Sequence, residues 1–146
     1  MTPVTNSLLL NNKNSIQPTK TYYLDLENNR IIGFCDGIEA MKQTIYCILN
    51  TERFENLIYS WNYGVEIKNL IGENESYVIV ELERLITEAL TEDDRITDVS
   101  DFKFEIIKNN IIVTFNVTTN VGNITSEKVV AMWFKKKMNI IPLKIF

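Results

Sequence analysis

Carboxylates are the side chains in this sequence whose spacing comes nearest to acid–base or metal chemistry, because the chain contains no histidine. The absence of histidine excludes Ser-His and Cys-His nucleophile pairs and His-ligated zinc. The acidic residues between Asp93 and Asp101 could bind a cation, but acidic side chains are common where a helix gives way to a strand, so we interpret them as loop residues. Glu52 and Glu66 could form a glycosidase pair, yet the sequence does not fix the distance between their carboxyl groups. We expect no catalytic residues, no metal site and no cofactor.

Motifs for phosphate binding and redox chemistry are missing as well. The five glycines are scattered without the spacing of a nucleotide-binding loop. Cys35 and Cys47 are not accompanied by a second pair that could complete a metal site. We therefore interpret both as structural thiols in a reducing compartment.

Composition and charge favour one globular domain that binds neither nucleic acid nor membranes. The chain has 146 residues, of which 45% are hydrophobic and 23% charged, and this is enough for a single core. Its 19 acidic and 15 basic residues give a net charge of −4, which is the wrong sign for a nucleic-acid binder. The sequence contains neither a long apolar run nor a signal peptide, so we expect it to be cytoplasmic when made.

The first half of the chain shows the patterns of a hairpin followed by a helix. Aromatic and aliphatic residues on both sides of Asn28-Asn29 predict a β-hairpin over residues 21–34. Asp36 can cap a helix over about residues 37–50, where apolar residues recur at helical spacing. One face of that helix should pack on a sheet.

The second half shows a longer helix followed by a β-meander. Asn74 or Ser76 can cap the helix, and the period then changes to two, with turns at Asn109-Asn110 and Gly122-Asn123. These patterns predict an α+β fold in which two main helices pack on a largely antiparallel sheet, with extended N- and C-terminal arms.

We divide the sequence into an extended arm (1–20), a folded domain (21–131) and an apolar, basic C-terminal tail (132–146). The tail carries four lysines and no acidic residue, which indicates docking on an acidic partner surface. Binding to a membrane surface and packing as a last strand of the domain are the alternatives. The residues predicted to dock are Trp133, Phe134, Lys135 and Lys136.

Two further features favour association with other proteins. The third strand of the meander is more polar than the others and has the character of an edge strand, with Ile124, Ser126 and Lys128 as its predicted partner-facing residues. The loop between the helices is rich in aromatic residues, although Trp61 and Tyr63 could instead cover the core.

The loop also carries a family signature. Thr51-Glu52-Arg53, Trp61-Asn62-Tyr63-Gly64 and the following Ile67, Leu70 and Ile71 resemble the sheath-initiator, or inner baseplate wedge, family of contractile tails. The Glu-Arg pair matches the family's Glu-Pro-Arg or Gly-Glu-Arg triplet. The resemblance covers roughly residues 19–130 and is nearest to the XkdS-like branch of Gram-positive bacteria. Members occur in phages, phage-tail-like bacteriocins and type VI secretion machines.

The resemblance implies a structural protein of the baseplate. It would assemble in the bacterial cytoplasm, sit on the wedge ring and template the first sheath ring by strand addition. The expected partners are wedge subunits and sheath protein, with tube or hub proteins as further candidates. The residues expected to bind partners are Glu52, Arg53, Trp61, Tyr63 and Gly64.

Alternatives remain open at two levels. Arg53 could bind a partner's carboxylate or carbonyl groups, or it could shape its own loop by contacting Glu52. Some members of the family carry a lysozyme-like label, so the alternative function is a peptidoglycan-degrading tail enzyme. A soluble adaptor of cellular origin is a third class, which would be favoured if neighbouring genes encoded no sheath or tube protein.

Overall fold

A hairpin, two helices and a three-stranded meander follow one another along residues 16–131, the part of the chain that the computed structural model describes. The elements are β1 (Thr21–Asp25), β2 (Arg30–Cys35), α1 (Gly37–Leu49), α2 (Glu75–Thr91), β3 (Ile96–Ile107), β4 (Asn110–Thr119) and β5 (Gly122–Ala131), with a short 3₁₀ turn at Lys68–Leu70. The predicted α+β class is confirmed.

The hairpin forms a sheet of its own. β1 pairs with β2 in a two-stranded antiparallel sheet, whereas β3, β4 and β5 form a separate sheet in that order. The expectation of one main sheet therefore needs correction. The hairpin is attached to α1 by Gln43, whose Oε1 accepts from the Leu24 N–H at 2.8 Å and whose Nε2 donates to the Tyr22 carbonyl oxygen at 2.7 Å. This amide pairs with β1 as a neighbouring strand would.

Both helices begin at the predicted caps. The Asp36 carboxylate accepts from the Gly37 N–H at 2.7 Å, and the Asn74 side chain accepts from the Ser76 N–H at 3.0 Å. Such caps satisfy N–H groups that have no partner inside the helix. The helices bury one apolar stripe each, formed by Ala40, Met41, Ile45, Ile48 and Leu49 on α1 and by Val78, Leu82, Leu85, Ile86, Ala89 and Leu90 on α2.

The meander supplies the other half of the core. Alternate residues of β4 are completely buried, as predicted, namely Ile111, Val113, Phe115 and Val117. The strand β3 contains Asp98 and Asp101, so these two are strand residues and the prediction that they lie in a loop was wrong. Asp101 has φ 56° where the register with β4 shifts, which marks a β-bulge.

Candidate functional site

The loop between α1 and α2 is closed by a short parallel bridge at the family signature. Glu52 pairs with Val65, the Val65 N–H donates to the Thr51 carbonyl oxygen at 2.9 Å, and the Arg53 N–H donates to the Val65 carbonyl oxygen at 3.3 Å. We call residues 51–65 the Glu-Arg loop. Backbone hydrogen bonds join the two ends of this loop, so the residues between them project from a fixed base.

Gly64 is required by this bridge. Its φ is 98°, and a Cβ atom at this position would lie 2.5 Å from the Thr51 carbonyl oxygen. The backbone conformation and the close approach both demand glycine. Gly64 was among the residues predicted to bind partners, but it is buried. Its observed role is to allow the chain around Val65 to approach the chain at Thr51.

Arg53 holds the loop from inside. Its Nη1 lies 2.8 Å from Glu88 Oε1 and 3.4 Å from Glu66 Oε1, and its Nη2 donates to the Gly64 carbonyl oxygen at 3.2 Å. Its side chain is only 9% exposed. The internal role left open by the sequence is therefore the one observed, although the acceptors are Glu66 and Glu88 and not Glu52. That Arg53 also contacts a partner stays a prediction.

Glu88 supports the Glu-Arg loop from α2, a contact that sequence reasoning missed. It lies on the polar face of α2, where its Oε2 also accepts from Arg84 Nη1 at 2.8 Å. The hydrogen bond from Arg53 is the main cause that lowers the pKa of Glu88 below its ordinary value. The local pattern resembles a solvated helix face, and nothing near Glu88 in the sequence points to Arg53.

Glu52 anchors the start of the 3₁₀ turn. Its carboxylate accepts from the Lys68 N–H at 3.2 Å. Burial raises the pKa of Glu52, because desolvation disfavours the charged form. Glu52 therefore fixes the 3₁₀ turn that follows the loop, whereas Arg53 joins the loop to α2.

The two predicted aromatic residues behave differently. Trp61 is 82% exposed, so it does not cover the core, and its ring meets Phe54 edge-to-face at 6.3 Å. Tyr63 is half-buried against the core and stacks on Tyr59 with a centroid distance of 4.6 Å. Burial raises the pKa of Tyr63 to about 12.

Trp61 is one of four apolar side chains that the Glu-Arg loop exposes. We call Phe54, Leu57, Ile58 and Trp61 the tip patch, and all four side chains are more than half exposed. Phe54 has φ 68°, an unusual conformation for a bulky residue. Because the bridge and Arg53 hold the base of the loop, the tip patch is presented on a fixed support.

The strand β5 is an edge strand, as predicted. Within residues 16–131 it pairs only with β4, through ten residue pairs without a register shift. The side chains of Ile124, Ser126 and Lys128 are buried, however, so their predicted orientation toward a partner was wrong. They face the core because the alternation of β5 places every second residue against the helices.

The backbone of β5 is what a partner could reach. Thr119 and Gly122 close a two-residue turn and form a hydrogen-bonded pair, after which such pairs alternate along an antiparallel ladder. The N–H groups of Ile124, Ser126 and Lys128 consequently point to β4. The outward-pointing donors belong to the residues between them, Asn123, Thr125, Glu127 and Val129.

The predicted docking residues Trp133, Phe134, Lys135 and Lys136 lie outside the described residues, as does most of the N-terminal arm.

In the described part, no group of three or more His, Cys, Asp or Glu side chains could hold a metal ion. No helix of residues 16–131 is long and apolar enough to cross a membrane.

Comparison with known proteins agrees with the signature in this loop. A family model described as contractile injection system sheath initiator matches residues 15–122. The phage-like element PBSX protein XkdS of Bacillus subtilis strain 168 is 40% identical over 119 residues, which cover 79% of this chain and 84% of that protein.

A solved structure shares the fold. The crystal structure described as a putative tail lysozyme from Geobacter sulfurreducens aligns with a TM-score of 0.56 over 66% of this chain and 92% of that one. Its sequence identity is 14%, so the likeness extends to the fold alone. The family model spans most of the chain and the Bacillus relative aligns over nearly the same extent, and the chain accordingly belongs to the contractile injection system sheath initiator family.

Proposed function

We propose that this protein is a non-enzymatic structural component of the baseplate of a contractile tail. It sits on the wedge ring through the Glu-Arg loop and templates the first sheath ring by adding an extended sheath segment to β5. It is assembled in the bacterial cytoplasm and then remains in the tail particle. Family membership supports a role in a contractile tail. The geometry of the strand edges supports strand addition as the mode of binding.

The observation that carries the proposal is the regularity of β5. Exposed strand edges normally carry devices that prevent pairing. Within residues 16–131, Gln43 occupies the outer edge of β1, a bulge at Gly33 interrupts β2, and two register shifts interrupt β3. Among the outer strand edges in residues 16–131, only that of β5 belongs to a strand with ten residues in unbroken register with its neighbour. Its edge is therefore suited to accept another strand.

Substitution at Thr125 tests this mode of binding. Proline at Thr125 removes an outward-pointing N–H and leaves the ladder to β4 intact, so folding should be retained, as is usual for proline on the solvent side of an edge strand. We expect Thr125→Pro baseplates to nucleate sheath poorly. Thr125→Ala is the matched control, because both variants lose the hydrogen bond to Asn116 Oδ1 and only proline loses the N–H. Normal sheath assembly on the proline variant would contradict strand addition at β5.

The tip patch is proposed as the surface that contacts wedge subunits. A small group of exposed aromatic and aliphatic side chains on a fixed support has the character of a binding hot spot. The support is the bridge at Gly64 and the contacts of Arg53, with the Lys68–Glu55 ion pair at one flank. In this arrangement Glu52 and Arg53 serve wedge binding by shaping the loop that carries Trp61.

The C-terminal tail is proposed as a second docking segment. Its composition, which is apolar with four lysines, suits an acidic surface on another baseplate component. Truncation after Ala131 should spare folding and weaken assembly. An unfolded or insoluble truncated chain would show instead that residues 132–146 belong to the core.

A peptidoglycan-degrading activity has less support. Glu52 and Glu66, the two candidate carboxylates, are engaged by the Lys68 N–H and by Arg53 respectively. The purified protein should therefore fail to clear a suspension of bacterial cell walls. Clearing that Glu52→Gln abolishes would overturn the structural role.

A further inference from the structure

Lys128 is a charged side chain buried on the inner face of the outer strand. It is 8% exposed, and its Nζ donates to the Leu49 carbonyl oxygen at 2.6 Å. Leu49 is the last residue of α1, where carbonyl groups lack partners within the helix and carry the negative end of its dipole. A side chain of β5 thus completes the end of α1.

The Glu-Arg loop begins at the end of α1 that Lys128 holds, because the Thr51 N–H and Oγ1 donate to the Ile48 and Cys47 carbonyl oxygens at 3.3 and 2.7 Å. Burial lowers the pKa of Lys128 to about 8, and the nearby Glu52 carboxylate opposes this by favouring the charged form. Glu52 in turn accepts from the Lys68 N–H. Lys128 is therefore hydrogen-bonded at the end of α1 from which the Glu-Arg loop begins.

In the described part of the chain, no second side chain of β5 makes a hydrogen bond like that of Lys128. Of the side-chain hydrogen bonds made by β5 in residues 16–131, only that of Lys128 reaches α1 or the loop. Ser126 lies on the same buried face, but its Oγ has no hydrogen-bond partner there. The side-chain hydrogen bonding between β5 and the end of α1 from which the loop begins therefore depends on one residue.

We propose that Lys128 is a positioning residue that couples the Glu-Arg loop to β5, so that a strand added at β5 tightens the loop and a partner bound at the loop stiffens β5. Such coupling is reciprocal, because each site changes the other's free energy by the same amount. The identity of the two partners rests on the proposed function, whereas the coupling is a property of the free protein.

Amide hydrogen exchange of the free protein tests the coupling. In Lys128→Met we expect the amides of Arg53 and Val65, which close the loop bridge, to exchange at least about tenfold faster than in the wild type, measured relative to core amides of α2. Ser126→Ala, on the same face, should leave these amides unchanged. Exchange that rises equally in the loop and in α2, or does not rise, would overturn the proposal.

A second variant and a second condition complete the test. Lys128→Gln keeps a hydrogen-bond donor on a shorter side chain and replaces the methionine variant if that one does not fold. Purified sheath subunit added to the wild type should slow exchange in both β5 and the loop, but only in β5 in the variant. An equal response of the loop in both proteins would overturn the coupling. No effect on wild-type β5 would instead count against the proposed function, and the free-protein comparison would still decide the coupling.

Discussion

Replacing Arg53 by methionine removes the cation that holds the Glu-Arg loop while keeping much of the side-chain volume. The guanidinium has three acceptors, the carboxylates of Glu66 and Glu88 and the carbonyl oxygen of Gly64. Their loss should release the base of the loop from α2. We therefore expect a loss of stability, and not only a loss of partner binding.

The size of this loss follows from the burial of the partners. Breaking a buried ion pair typically costs about 3–5 kcal/mol, because a charge remains without a partner in the interior. The Glu66 and Glu88 side chains are 32% and 42% exposed, so water can solvate both after the change. We expect the free energy of unfolding to fall by about 2 kcal/mol, which corresponds to a decrease in Tm of roughly 8 °C for a domain of this size.

Urea unfolding at two pH values provides the assay. The hydrogen bond from Arg53 lowers the pKa of Glu88, so this stabilisation is present above the carboxyl's unfolded pKa and is lost as the pH falls through the folded value. The difference between wild type and Arg53→Met should be full at pH 7 and smaller at about pH 3. Arg84→Met is the control, because Arg84 also pairs with Glu88 but is 57% exposed. Equal stability of Arg53→Met and wild type at pH 7 would refute this account of the loop.

Three other changes test separate parts of the structure. Gly64→Ala should lower the free energy of unfolding by roughly 2–4 kcal/mol, because the Cβ would meet a backbone carbonyl. Gly72→Ala is the control: Gly72 has φ 90° but open space around it, so that change should cost only about 1 kcal/mol in urea unfolding. Equal costs for the two variants would contradict the close approach at Gly64. Trp61→Ala should change stability by less than about 0.5 kcal/mol and reduce co-purification with wedge subunits, and unchanged co-purification would exclude Trp61 from that interface. Burial lowers the pKa of Lys128 in the folded state to about 8 from its ordinary value of 10.5, so between these pH values the folded state binds fewer protons than the unfolded state. The free energy of unfolding of the wild type should therefore rise relative to that of Lys128→Met by up to about 3 kcal/mol from pH 8 to 10.5. A difference between the two proteins that does not change with pH would contradict the burial of the charge.

The elements were predictable because their signals are local. Asp36 and the helical spacing after it define α1, and the alternation in β4 shows which of its residues are buried. The sheet to which the hairpin belongs was not predictable, since an alternating pattern does not identify a strand's neighbours. The attachment of the hairpin through Gln43 likewise depends on how α1 packs.

The candidate site was predictable only in part. The signature located the loop, and the structure shows why Gly64 and Arg53 belong to it. The pairing of Arg53 with Glu88 joins residues 35 positions apart, and such a contact leaves no periodic signal. For β5, the polar composition indicated an edge, but the register with β4 was needed to show that Lys128 points inward.

Electron cryomicroscopy of a baseplate capped with its first sheath ring tests the central claim most directly. The account predicts an extended sheath segment about 4.8 Å from β5, paired with the outward-pointing backbone groups of Asn123, Thr125, Glu127 and Val129. A map in which the outer edge of β5 faces solvent, while sheath subunits contact this protein elsewhere, would contradict it.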